Sequence, residues 1–300
     1  MPSRSQRRTK AGVPFARLVA ALEAMAPLEL AESWDNVGLL VQPSRTSSIR
    51  RALLSIDLTE EVLDEAIEEN VGFIVAYHPP IFAPLSRLAP SDPRERVLIR
   101  CIENRICVYS PHTALDAAPA GVNDWLVDAF GKGTRRAVLR ASDPQKAGPD
   151  SRVCSPAGND PEAGTSGQGR LLLLDRALTV SGVVRRVKEH LGLRTVRLAL
   201  SRRNQSTPKL RHVGVCAGSG GAILEECFKQ GVTLDLFLTG ELRHHDILAA
   251  NARGVSVLLT DHTHTERGFL PVLAARIGKV FGSALDVIVS RRDTEPLKVH

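Results

Sequence analysis

The chain has 300 residues, 43% of them hydrophobic and only 4% aromatic, enough apolar material for one large core or two domain-sized ones packed mainly by aliphatic side chains. No run approaches the roughly 18 to 20 apolar residues that a helix needs to cross a bilayer, which excludes a membrane span of that kind. The net charge of +6 is concentrated in Arg4, Arg7, Arg8 and Lys10; without those four the chain carries 35 basic and 33 acidic residues, so the rest is almost neutral and offers no nucleic-acid surface.

Residues 1–12 read as a disordered basic tail, with a mitochondrial transit start or a nuclear signal as alternatives. The apolar core of a secretory signal is missing, so the expected compartment is the cytoplasm, with nucleus and mitochondrion as the other two. Trp34-Asp35-Asn36-Val37-Gly38 predicts a tight turn in which Asp35 and Asn36 bond backbone amides, beside a buried aromatic and near the site. Arg51 to Asp57 predicts a strand, Thr59 caps a helix through Val62, Leu63, Ala66 and Ile67, and Phe73 to His78 predicts a second strand. Pro79-Pro80 cannot continue a sheet and would hold His78 outward. The Pro-rich excursion from Pro79 to Pro93 reads as a rim or interface element. A third strand, Ile106 to Tyr109, ends just before His112-Thr-Ala-Leu-Asp116, and Gly121-Val-Asn123 after it reads as a structural turn.

Of the 29 residues from 141 to 169, 17 are Gly, Pro, Ser, Asp or Asn, a composition that cannot repay its ordering entropy and predicts a flexible linker. It separates an expected N-terminal lobe, 13–140, from a C-terminal lobe, 170–300. The second lobe repeats the first in order: a strand from Val213 to Gly218, a helix through Leu224, Cys227 and Phe228, a strand from Leu234 to Glu241, a strand from Val255 to Leu259, then His262-Thr-His-Thr-Glu266. Gly218-Ser-Gly-Gly221 is either a phosphate cradle or a tight turn. His244 and His245 are neighbours on a helix and cannot both face one ion. The five cysteines are odd in number and show no CxxC, which predicts a reducing compartment, no disulfide and no thiolate metal site.

Two copies of His-Thr-x-x-carboxylate, each behind a strand, are what a metal site split between two related halves would look like. One copy alone would read first as helix capping; the duplication reverses this in favour of the metal. Imidazole with carboxylate suits zinc, iron or manganese better than calcium. The strand ends place His78, His112, Asp116, Glu241, His262 and Glu266 on the edge where α/β sheets gather their active groups.

At these residues the chain resembles the GTP cyclohydrolase I type 2 homologues, also called the Ngg-interacting-factor-three-like family, in its animal-type branch and without the inserted central domain of many relatives. The matching segments are Ala31 to Val41, Tyr77 to Phe82, Ser110 to Ala118 with Gly121 to Asn123, Ala217 to Gly220, Leu238 to Glu241 with His244 to Asp246, and His262 to Gly268. The resemblance implies an α/β fold of two related α/β/α lobes with mixed sheets and a metal cleft between them, one or two divalent metals per chain, and a homohexamer. It implies metal ligands at His78, Asp116, His262 and Glu266; His112 and Glu266 are the expected catalytic groups, with no organic cofactor. Tyr77 departs from the His-His pair of bacterial members, and a phenol is a weaker ligand than imidazole. The expected function is metal-dependent hydrolysis of a nucleotide-like or related small molecule. Its rival is a non-catalytic interaction protein or transcriptional co-regulator with a structural or vestigial metal site. Expected partners are further copies of the chain, a small-molecule substrate and other proteins, but no membrane.

Overall fold

A computed structural model describes residues 12–298 apart from 47, 141–165 and 208. Among the described residues the strands are β1 (Gly38–Val41), β2 (Arg51–Ser55), β3 (Phe73–Ala76), β4 (Cys107–Ser110), β5 (Gly133–Arg140), β6 (Gly167–Thr179), β7 (Arg197–Ala199), β8 (Lys209–Ser219), β9 (Leu236–Glu241), β10 (Ser256–Leu259) and β11 (Asp286–Val289). They form two mixed sheets with helices between the strands, the expected α/β class. The chain divides into two compact units. The first takes the chain up to Met25, Trp34–His112 and Leu270–Pro296; the second takes Ala26–Ser33, Thr113–Phe269 and the end of the chain.

The first unit holds a five-stranded sheet in the order β1-β4-β3-β2-β11. β2, β3 and β4 run parallel, β11 joins parallel to β2, and β1 closes the other edge antiparallel to β4. Every residue of β3 is buried, which is why Phe73-Ile-Val-Ala reads as an unbroken apolar run rather than an alternating one. The helices crossing between these strands start where the sequence supplies caps. Thr59 accepts from the Val62 amide, and Asp92 accepts from the amides of Arg94 and Glu95 with Pro93 in the first turn. Their apolar faces, Val62, Leu63 and Ala66 from one and Val97, Leu98 and Cys101 from the other, pack with Leu53, Ile74 and Val108 into an aliphatic core.

The second unit holds a six-stranded sheet in the order β5-β6-β8-β9-β10-β7. β8, β9 and β10 are parallel, and β5, β6 and β7 are antiparallel to their neighbours. The core again is aliphatic, with Leu171, Leu224, Cys227, Leu234, Val257 and Leu259 around Phe237.

Three expectations are corrected here. The division falls after His112 and after Phe269 rather than around 141–169, because β5 is committed to β6 from Gly133 through Arg140 and β11 to β2. Asp286 of β11 is also clasped by Arg51, whose Nε lies 2.8 Å from its carboxylate. Second, Gly167 to Gly169, assigned to the linker, are the first residues of β6, while residues 141–165 lie outside the described part. The tail at 1–11 lies outside it too, whereas Gly12 is described and Val13 bridges to Ile49. Third, Trp34 is 58% exposed, not a buried aromatic. The cysteines Cys101, Cys107, Cys216 and Cys227 are buried free thiols, and no described helix is long and apolar enough to cross a membrane.

Candidate metal centre

In the first unit the parallel strands β2, β3 and β4 put their carboxyl ends on one edge, and the chemistry-bearing residues follow within two positions of each end. Past β3, Tyr77 and His78 still hold the sheet by donating their amides to Ser55 and Ile56. The chain then turns away at Pro79, whose missing N–H cannot extend the ladder. His78 is thereby set opposite Asp57, and its Nδ1 lies 2.9 Å from Asp57 Oδ1. Past β4, His112 opens the helix His112–Ala117 with φ +25, a conformation strained for a residue with a Cβ.

Asp35 holds His112 there. Its two carboxylate oxygens sit 2.8 and 2.9 Å from His112 Nδ1, and its side chain is wholly buried. The turn that carries Asp35 is the one the sequence predicts: the Asn36 amide donates to Asp35 Oδ1, and Asn36 Nδ2 donates to the Ile81 carbonyl at 2.6 Å. The rings of His78 and His112 meet edge to face at 5.4 Å between centroids, and Tyr77 meets His112 at 5.7 Å. Tyr77 is only 2% exposed, and its ring packs against both imidazoles.

In the second unit the same edge of β8, β9 and β10 gathers Gly218, Glu241 and His262. His262 Nδ1 lies 3.0 Å from Glu241 Oε1, and its Nε2 lies 3.5 Å from Oε1 of the buried Glu266. The strained residue is Asp261, at φ +67, immediately before the histidine. Gly218, at φ +61, comes so close that a Cβ there would lie 2.9 Å from both His262 Nε2 and Glu266 Oε1. Its amide donates to Thr265 Oγ1 at 2.8 Å and its carbonyl accepts from Thr239 Oγ1. Gly220 faces Thr239, where a Cβ would come within 2.5 Å of the hydroxyl. Close approach of backbone to side chains therefore accounts for Gly218 and Gly220, and Gly220 is the cap of the helix Gly221–Lys229.

Asp116 belongs to the second unit. Its backbone carbonyl accepts from Asn123 Nδ2, and Asn123 Oδ1 in turn accepts from the Ala217 amide next to Gly218. Asp116 and Glu266 act on one neighbour: burial pushes the Cys216 thiol well above its ordinary range, and both carboxylates, with Cys227 and Glu32, push it further. A thiol so held stays protonated and inert. Arg170, fully buried in β6, pairs with Asp124 through Nε and Nη2 at 2.9 and 3.0 Å and donates to the carbonyls of Ala117 and Ala118. It thus satisfies the orphaned end of the helix that carries Asp116. His244 and His245 are exposed in the first turn of the helix His244–Ala252.

Asp57 and Arg170 went unassigned in the sequence, and Asp35 and Glu241 were expected near the site but without the role of orienting a histidine. The one available signal for Asp35 was the polar turn at 34–38; for Arg170 it was a guanidinium inside the apolar run Arg170-Leu-Leu-Leu-Leu174.

Comparison with known proteins adds the family. The model of Duf34/NIF3 (NGG1p interacting factor 3) matches residues 14–296. NIF3-like protein 1 of Mus musculus is 36% identical over 98% of this chain and 94% of its own length. The NIF3 homolog of Schizosaccharomyces pombe is 39% identical, covering 94% of this chain and 96% of its own. A Bacillus cereus protein related to NIF3 shares the fold with a TM-score of 0.77 at 20% identity, over 95% of this chain and 98% of that one.

Proposed function

The chain belongs to the Duf34/NIF3 family, and on that premise we propose a metal-dependent hydrolase of a nucleotide-like or related small molecule. His78, Asp116, His262 and Glu266 are its metal ligands, and His112 and Glu266 handle protons. The observation that carries this reading is the matched support of the histidines. Within the first unit His78 Nδ1 is bonded to Asp57, and within the second His262 Nδ1 is bonded to Glu241. A carboxylate on Nδ1 fixes the tautomer and raises the basicity of Nε2, the arrangement that metal-binding histidines use.

The residues fit a divalent ion of the zinc, iron or manganese kind. The donors are imidazole and carboxylate, and the bare backbone of Gly218 keeps clear the space beside His262 Nε2 and Glu266 Oε1 that a side chain would fill. When bound, such an ion lowers the pKa of a coordinated water toward neutrality. His112, oriented through Nδ1 by Asp35, presents Nε2 as proton acceptor or donor. Assembly of copies into a hexamer and residence in the cytoplasm belong to the same proposal.

Metal analysis of the purified chain followed by a panel of nucleotide hydrolysis assays tests it. Asp116→Ala and His262→Ala are expected to remove bound metal and to lower turnover at least 100-fold. A metal-free wild type without turnover on any nucleotide would sink the enzyme reading. One observation favours a second reading: the family is described by interaction with NGG1p. Under it the chain is a binding protein or co-regulator, and partner binding persists after chelation.

A further inference from the structure

Two of the most exposed large apolar side chains of the first unit stand together beside its histidines. Trp34 is 58% exposed and Phe82 55%, and their ring centroids are 5.9 Å apart with the planes tilted by 51°. They come from segments 48 positions apart in sequence. The Asn36 Nδ2 to Ile81 carbonyl bond, next to both rings, fastens one segment to the other, so the pair is built rather than accidental. Trp34 also meets the His112 ring at 6.2 Å. The indole thus continues the cluster of Tyr77, His78 and His112 outward to solvent.

Exposed aromatic faces fastened by a hydrogen bond between their segments are poor for solubility and good for one purpose, stacking a planar π-system. Charge narrows the class. Phe82, His78 and Asp57 line a cavity of about 1150 Å³ whose walls carry six carboxylates, Glu60 and Glu61 among them, against two guanidiniums, Arg94 and Arg292. Such a wall disfavours a polyphosphate and suits a neutral or cationic ring with N–H donors. We infer that Trp34 and Phe82 are a stacking platform for a neutral or cationic planar heteroaromatic ligand, held by its ring rather than by phosphate. The inference rests on the proposed function only in setting this platform beside that site, and it names the part of the substrate that this chain grips.

Calorimetric titration of the full-length protein with adenosine, guanosine, ATP and GTP tests it, with metal content measured on each preparation. Saturable binding of a nucleoside is expected, with the matching triphosphate weaker by tenfold or more. Trp34→Ala and Phe82→Ala are each expected to weaken nucleoside binding roughly tenfold, the scale of one lost base–aromatic stack, while metal content and circular dichroism stay unchanged. Triphosphates binding as well as nucleosides, or no nucleoside binding at all, overturns the inference. So does a change of sedimentation mass in Trp34→Ala, which would make the patch a contact between copies. Nucleoside binding by a chain that holds no metal leaves this inference standing and removes the hydrolase reading alone.

Discussion

The two His-Thr-x-x-carboxylate copies are alike in spacing and unlike in support. In the first, the histidine is the first residue of its helix and itself adopts the strained φ; in the second, the strain lies on Asp261 and the helix begins two residues after the histidine, at His264. The first histidine is oriented by a buried carboxylate from outside the repeat, Asp35. The second is oriented by Glu241 at the end of the neighbouring strand, with 53% of its side chain exposed. At the corresponding strand end the first repeat places His78, and its partner Asp57 comes from the strand before. One spacing is thus realised by different second partners, and a duplicated motif predicts which groups bind but not what holds them.

The largest test of this asymmetry is Arg170, which braces the helix of the first copy. Arg170→Ala leaves Asp124 buried without its cation and takes the guanidinium donor from the carbonyls of Ala117 and Ala118, of which Ala118 keeps the Gly121 amide. A loss of about 3–5 kcal/mol is expected in denaturant unfolding; a loss below 1 kcal/mol would show that the brace is dispensable.

Next comes the attachment of β11, the parallel edge strand beside β2. Burial alone would raise the Glu65 carboxyl, but the Ser290 hydroxyl and the amides of Arg291 and Arg292 outweigh it, and its pKa is lowered. The stabilisation is complete above the ordinary glutamate value of 4.5 and is lost as pH falls through the lowered one. Glu65→Gln should cost about 2 kcal/mol at pH 7, and its melting temperature should converge on that of the wild type as pH falls through the lowered pKa. A gap that stays constant with pH would refute this account.

Gly218→Ala probes the second copy. The left-handed backbone costs an alanine about 1–2 kcal/mol, and the new methyl must displace His262 or Glu266. Metal content should fall with stability; an unchanged metal content would show that the cleared space is not the ligand space.

The smallest effects compare the two orienting carboxylates directly. Asp35→Asn, in a buried pair, should cost about 1–2 kcal/mol and lower turnover 10- to 100-fold. Glu241→Gln, largely in solvent, should stay within about 0.5 kcal/mol in stability. Equal stability losses for the two would erase the distinction between the copies.

Local order was legible from residue type and period. The strand, helix and strand of each repeat and the Thr59 cap follow from side-chain chemistry acting over a few residues, and the structure has each of them. Pairing over long distances was not legible in the same way. β11 returns across 235 positions to lie with β2, where Asp286 meets Arg51, and β6 begins inside a segment whose composition reads as linker. Asp35 reaches His112 across 77 positions. Hydrophobic period and capping state what a segment is, whereas a sheet edge or a buried carboxylate is satisfied by whichever distant group the folded chain brings to it, and only the tertiary structure decides which group that is.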